Sequence, residues 1–286
     1  MADTWPAMTA ELAGARAATG GYVHATAAFD DELGRLHLLE TRYDPSTFRR
    51  LAMFGPLAGA RCLEVGAGAG SVTRWLAARA GPSGQVVATD TNPRFLAHLE
   101  TGVEVRRHDI LADPLEPGRY DLAHCRALLL HLPDPRQAVR NIAAAVRPGG
   151  WLLIEDADYV SLVAADPAHP RAARFDLTVR KLTTFFAASG AVDLFFGRRL
   201  PSLVTAAGLA ETGSEAIACH RRGSSGEAEL LRRSVERISP LALKHGVAGQ
   251  EELDAVSAAA ADPSFSFMDA LNVAAWGRVP CSGAAR

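Results

Sequence analysis

An excess of charge of either sign is missing from this sequence. Its 286 residues include 30 lysine or arginine and 32 aspartate or glutamate, for a net charge of −2. Without a global positive field to hold a polyanion, nucleic acid is not an expected partner. Cysteine is scarce too. Cys62, Cys125, Cys219 and Cys281 are far apart and form no CxxC pair. This spacing argues against a zinc ribbon or thioredoxin-like motif and fits a reducing compartment. No apolar run reaches the ~18 residues that span a bilayer, and the first residues lack the basic-then-apolar pattern of a secretory signal. A soluble, cytoplasmic protein with no membrane partner is expected. Aromatic residues are only 7% of the chain. Even so, Tyr159, Phe175, Phe185, Phe186, Phe195 and Phe196 crowd into one stretch.

What the chain does have is alternation. Up to about Pro56 it reads as helical: Leu33, Leu36, Leu39 and Tyr43 recur at helical spacing, Asp30 is a candidate N-cap, and Pro45 suggests a fresh helix start. From Ala60 short apolar runs alternate with helical patterns. Strands are expected at Arg61–Val65, Gln85–Thr89, Val103–Arg107, Tyr120–Cys125 and Trp151–Glu155. Helices are expected at Ser71–Ala80, Pro93–Glu100 and about Asp134–Val146, with a turn at Arg147–Gly150. Such alternation implies a mostly parallel sheet covered on both faces, with ligands at the carboxyl ends of its strands. Beyond Asp158 come a loop and helix to about residue 190, a helix near Leu200–Ala207 and a strand near Glu215–Cys219. Helices near 227–242 and 250–261 follow, then a last strand within Phe265–Gly277.

The most informative segment is Cys62-Leu-Glu-Val-Gly-Ala-Gly-Ala-Gly-Ser71. A strand runs into three glycines and then a helix, a design that lets backbone approach a ligand closely. The dinucleotide fingerprint GxGxxG is not met, because its third glycine position is Ser71. Glu64, two residues before the first glycine, is placed to hold a cationic group. Asp90 ends the second strand, where an acid accepts both hydroxyls of a ribose. Asp109 and Ile110 close the third strand, where they are placed to frame an adenine. Each has a structural alternative: Asp90 as a helix N-cap, Asp109 as a turn residue.

In their order, these segments resemble the class I S-adenosylmethionine-dependent methyltransferases. Leu63–Gly70 is similar to that family's first motif, Thr89-Asp90 to the second and Arg107–Ile110 to the third. Tyr120–Arg126 with His131–Asp134 is similar to the fourth, and Arg147–Asp156 to the stretch entering the fifth strand. The resemblance covers roughly residues 60–158. It implies a Rossmann-like α/β fold with a seven-stranded, mostly parallel sheet, its last strand antiparallel, and helices on both faces. A helical cap (1–56) precedes the methyltransferase domain (57–286), and a helical substrate lid (159–200) is inserted in it. The implied cofactor is S-adenosylmethionine, leaving as S-adenosylhomocysteine. Implied donor contacts are Tyr43, Glu64, Gly66, Ala67, Gly68, Asp90, Thr91, Asp109, Ile110 and Arg126. Tyr43 would cover the methionine end, and Arg126 would orient its carboxylate, close a lid, or make a solvated or structural ion pair.

Methyl transfer from a sulfonium needs positioning and water exclusion more than acid–base help. His131 is the candidate base. His124, on the strand itself, either meets the cofactor through its backbone or fills the core. Glu155, Asp156 and Asp158 form an acidic trio, but the ligand pattern of metal-dependent relatives is missing and no metal is expected. The aromatic stretch favours a small apolar or aromatic acceptor, with Tyr159, Phe185 and Phe186 as its lining, in a tailoring step of secondary metabolism. The other reading is a donor-binding protein without methyl transfer. A nicotinamide-dependent dehydrogenase is disfavoured by Ser71 and Glu64. A homodimer is possible on the strength of the helical ends.

Overall fold

The computed structural model describes residues 29–99, 102–189 and 192–281. The described chain divides into two compact units. One takes the residues through Arg42, Ala157–Phe195 and Ile217–Asn272; the other takes Tyr43–Asp156, Phe196–Ala216 and the residues from Val273.

The sheet unit is built from β1 (Arg61–Val65), α2 (Ser71–Ala80), β2 (Gln85–Asp90), β3 (Val103–Arg107), β4 (Tyr120–Arg126), α3 (Pro135–Ala145), β5 (Val146–Asp158), α5 (Leu200–Ala206), β7 (Ala210–Ile217) and β10 (Leu271–Arg278). The strand order is β3-β2-β1-β4-β5-β10-β7. The pairs β1–β2, β1–β4, β2–β3 and β4–β5 are parallel. The order reverses between β1 and β4, so the carboxyl ends of these two strands flank the switch-point crevice of the sheet. Strand alternation sends Cys62, Leu122 and Leu153 to one face, where they pack with Leu51, Val72, Leu76 and Val86. In the same alternation Glu64, His124 and Glu155 lie on that face near the carboxyl end. On α3, Ala138, Val139 and Ile142 are buried.

Before β1 runs α1 (Phe29–Ala52). The expected break at Pro45 does not occur, and Asp30 lies inside the first turn with Asp31 and Glu32 instead of capping it. Proline removes one helical hydrogen bond. Tyr43, Thr47 and Leu51, spaced four apart, are all buried, and this packing carries the helix through. The expected helix Pro93–Glu100 is a single 3-10 turn, Pro93–Phe95, and Glu100 lies outside the described residues. Phe95 at its end and Leu96 directly after it are buried, which ties the chain down without a longer helix.

The other unit gathers α4 (Ala172–Ser189), α6 (Gly226–Lys244), α7 (Gln250–Ala261) and a small antiparallel sheet of β6 (Val163–Ala164), β9 (Ser266–Met268) and β8 (His220–Arg222). Phe175, Leu182, Val256, Phe265 and Phe267 form its core. The last strand expected within Phe265–Gly277 is thus two, β9 and β10. The strand expected at Glu215–Cys219 is β7 followed by a separate β8. No helix among the described residues is long and apolar enough to cross a membrane.

The Arg147-Pro-Gly-Gly150 turn belongs to β5, at a register shift against β4 between Tyr120 and Leu122. Gly149 is left-handed at φ 77°. A Cβ on Gly150 would stand 2.6 Å from the Val146 side chain and 2.8 Å from the Asp121 carbonyl. Gly150→Ala should therefore lower stability by about 1–3 kcal/mol through overpacking, read as a lower urea midpoint with unchanged slope.

Candidate functional site

All of the site's backbone geometry is set where β1 meets α2. Gly66, Gly68 and Gly70 adopt φ of 72°, 57° and 85°, a region closed to most side chains. Gly66 and Ala67 donate their N–H to the Thr89 carbonyl at 2.8 and 3.0 Å, which folds the loop back onto the end of β2. A Cβ on Gly66 would come within 3.3 Å of the Leu128 methyls. Helix α2 starts at Gly70 with no side chain capping it, so its first turn is open to an anionic or polar partner.

Asp90 stands at the end of β2. Its Oδ2 accepts from Gly68 N at 3.1 Å and its Oδ1 from Asn92 N at 2.8 Å. Burial pushes its carboxyl up from the usual aspartate value, against these two backbone bonds. One lone pair of each oxygen remains for outside donors, which suits two adjacent hydroxyls. Thr91 follows, exposed. Asp109 ties up its own turn: Oδ1 accepts from Leu111 N at 2.9 Å. Ile110 beside it is buried. His108, between β3 and Asp109, is 8% exposed, and neither ring nitrogen has a partner among the described residues.

Glu64 does not stand alone. The parallel register of β1 and β4 sets it beside His124, whose Nδ1 lies 2.8 Å from Glu64 Oε2 and whose Nε2 lies 3.0 Å from Glu155 Oε2. Arg50 Nη1 donates to Glu155 Oε1, and Thr47 Oγ1 donates to Oε2 at 2.6 Å. Arg50 Nε also reaches Glu215 on β7 at 2.8 Å. Arg50, His124 and Glu155 are fully buried, and Glu64 is 3% exposed. Burial alone would lower the His124 pKa. The field of Glu64 and the hydrogen bonds to both glutamates outweigh it and lift the pKa to about 9. Glu155, despite its burial, is held at about 2 by His124 and Arg50. Burial raises Glu64. The His124 ring thus bridges two carboxyl groups from neighbouring strands.

Arg126, at the end of β4, pairs with Asp44 at 2.9 Å, donates to Thr47 Oγ1 at 2.9 Å and lies 5.6 Å from the Tyr43 ring centroid. Ser71 Oγ donates to the same Asp44 oxygen at 2.9 Å. The C-terminal half of α1 is thereby tied to the start of α2. Ala127 is left-handed at φ 52°, an uncommon state for a residue with a Cβ, and its N–H donates to the Glu155 carbonyl at 2.9 Å. This turn carries Leu128 towards Gly66. His131 ends the 3-10 turn Leu129–His131 that follows.

The acidic trio is split between partners. Glu155 faces Arg50 and His124, Asp156 accepts from Leu130 N at 3.0 Å, and Asp158 accepts from Val160 N at 3.0 Å. No cluster of three or more histidine, cysteine or acidic side chains among the described residues is arranged for a metal ion.

With that geometry in hand, comparison decides the family. A family model described as a methyltransferase domain matches residues 37–210, more than half of the chain. The chain belongs to the class I S-adenosylmethionine-dependent methyltransferases. Among its relatives, methyltransferase str2 of Strobilurus tenacellus is 38% identical over 102 residues, covering 35% of this chain and 36% of that one. A ubiquinone biosynthesis O-methyltransferase of Bordetella bronchiseptica is 36% identical over 106 residues, covering 34% of this chain and 43% of that one. The matches thus span under half the length of these curated relatives. A phosphoethanolamine N-methyltransferase 2 of Haemonchus contortus, solved with phosphomonomethylethanolamine and S-adenosylhomocysteine, shares the fold at TM-score 0.51. It is 18% identical over 82% of this chain and 52% of that one.

Tyr43, Glu64, Gly66, Ala67, Gly68, Asp90, Thr91, Asp109, Ile110, Arg126 and His131 all belong to the sheet unit. The expected acceptor residues Tyr159, Phe185 and Phe186 belong to the other unit. Phe185 and Phe186 are buried there edge to face, 5.1 Å apart, and Tyr159 packs on that unit's core. Asp44, Thr47 and Arg50 are not among the residues expected at the site. Their repeated three-residue spacing places them along one helical side, but no local signal says that side carries charge.

His124 gives the protein a pH signature. Its folded pKa of about 9 exceeds the ordinary 6.5, so its contribution is complete below the unfolded value and is lost as pH rises through the folded one. The urea midpoint should fall across that window, and His124→Gln should flatten the fall. An equal slope in both proteins would show that another group titrates.

Proposed function

We propose that this methyltransferase transfers a methyl group from S-adenosylmethionine to an oxygen, nitrogen or carbon nucleophile of a small, apolar or aromatic molecule. The bond from Gly68 N to Asp90 Oδ2 carries the reading. It joins the glycine loop to the acid of β2 and leaves that acid with acceptor capacity for ribose hydroxyls. Gly66 to Gly68 allow close backbone approach, Thr91 lies beside the ribose position, and Asp109 and Ile110 frame the adenine. Glu64, Arg126 and Tyr43 serve the amino-acid end. Once bound, S-adenosylmethionine supplies an electrophilic methyl whose leaving group departs as a neutral thioether.

The chain's own task is to hold the acceptor in line and keep water away. His131 takes a proton from acceptors that are protonated at working pH. Tyr159, Phe185 and Phe186 are aromatic side chains of the kind that suits such an acceptor. A small-molecule acceptor is supported by the aromatic content of residues 159–196 and by the relative named for ubiquinone biosynthesis.

Titration calorimetry with S-adenosylmethionine and S-adenosylhomocysteine tests the donor. Micromolar binding of both is expected, and nicotinamide nucleotide binding in their place would overturn the reading. Asp90→Ala should cost about 1.5–3 kcal/mol of donor affinity, the worth of hydrogen bonds to a charged group. Wild-type affinity in the folded variant would remove Asp90 from the donor site.

A further inference from the structure

His124 is fully buried, and its two ring nitrogens face two carboxylates from neighbouring strands. The groups around it come from every element packed there: Glu64 on β1, Arg126 two residues on along β4, Glu155 on β5, and Thr47 and Arg50 on α1. Their pairings are unequal. Glu155 takes Arg50, Thr47 and His124. Arg126 is matched by Asp44, and Glu215 by Arg49 and Arg50. Glu64 has His124 as its hydrogen-bonded cation, through Oε2, and among the described residues no hydrogen bond reaches its Oε1.

We propose that His124 is a positioning residue for donor binding: as an imidazolium anchored by Glu155, it keeps Glu64 ionised and oriented, with Oε1 left to receive the ammonium of the donor's amino-acid end. The proposal rests on the donor reading above. Its physical basis is the cost of a bare buried charge. Without a cation at Nδ1, a carboxylate as buried as Glu64 takes up a proton instead of staying charged. A protonated Glu64 offers the ammonium a far weaker acceptor. Glu155, backed by Arg50 and Thr47, fixes the ring from its far side and so fixes which Glu64 oxygen is occupied.

The test compares two ligands in calorimetry: S-adenosylhomocysteine, and 5′-deoxy-5′-methylthioadenosine, which has the adenosine and sulfur without the amino-acid end. His124→Gln keeps a hydrogen-bonding side chain but removes the charge. It should weaken S-adenosylhomocysteine binding by about tenfold or more and leave methylthioadenosine within about twofold. Equal losses for both ligands, or no loss for either, would overturn the inference while wild-type binding upholds the donor reading. Wild-type protein that binds neither ligand would overturn both. Nitrogen-15 NMR of histidine-labelled wild-type protein near neutral pH gives a check that does not need the variant to fold. Both His124 nitrogens should be protonated, and a neutral ring refutes the proposal.

Discussion

The structure of the sheet unit depends on one buried bridge, the His124 ring held between Glu64 and Glu155. Three ionisable side chains with no exposure, Arg50, His124 and Glu155, lie beneath the switch point of the sheet. Burying charge costs several kcal/mol per ion unless the partners are close and well aligned. Here alternation of sign along Glu64, His124, Glu155, Arg50 and Glu215 meets that condition. The chain of contacts runs through β1, β4, β5, α1 and β7, so removing one member leaves a neighbour uncompensated in low dielectric. Such a network adds little net stability over an apolar core. What it does is hold five elements in one register with charge directly below the glycine loop.

Above that network the backbone itself is tuned. Three left-handed glycines let the β1–α2 loop fold onto Thr89 and Asp90 without steric cost. Ala127 has no such freedom. Its left-handed state costs about 1–2 kcal/mol, and it falls on the opposite wall of the crevice between β1 and β4. Strain of this kind persists where surroundings enforce it. Here the enforcing contacts are the bond to the Glu155 carbonyl and the packing of Leu128 near Gly66.

The aromatic stretch has a structural cause of its own. The unit with α4, α6 and α7 needs a core separate from the sheet's, and Phe175 supplies it with Phe265 at 4.9 Å and Phe267 at 6.1 Å. Phe185 contacts Phe186 and the His245 ring. Aromatic enrichment in one segment therefore reports a local packing need as well as any ligand surface.

Local pattern alone determined the strands β1 to β4, the helices α2 and α3, the glycine loop and the acids at the ends of β2 and β3. Those features arise from periodicity and backbone sterics within a few residues, and their order along the chain carries the family resemblance. The unbroken α1 across Pro45 and the short turn at Pro93 depend on which faces become buried, and packing outweighed propensity at both. The partner of Glu64 was beyond reach. His124 lies sixty residues away in sequence, and only the parallel register of β1 against β4 makes them neighbours. Arg50 and Thr47 reach Glu155 only once α1 lies along the sheet face. Sequence thus determined which residues could carry charge and close turns; tertiary structure decided which charges meet, because pairing energy depends on distances that no local pattern encodes.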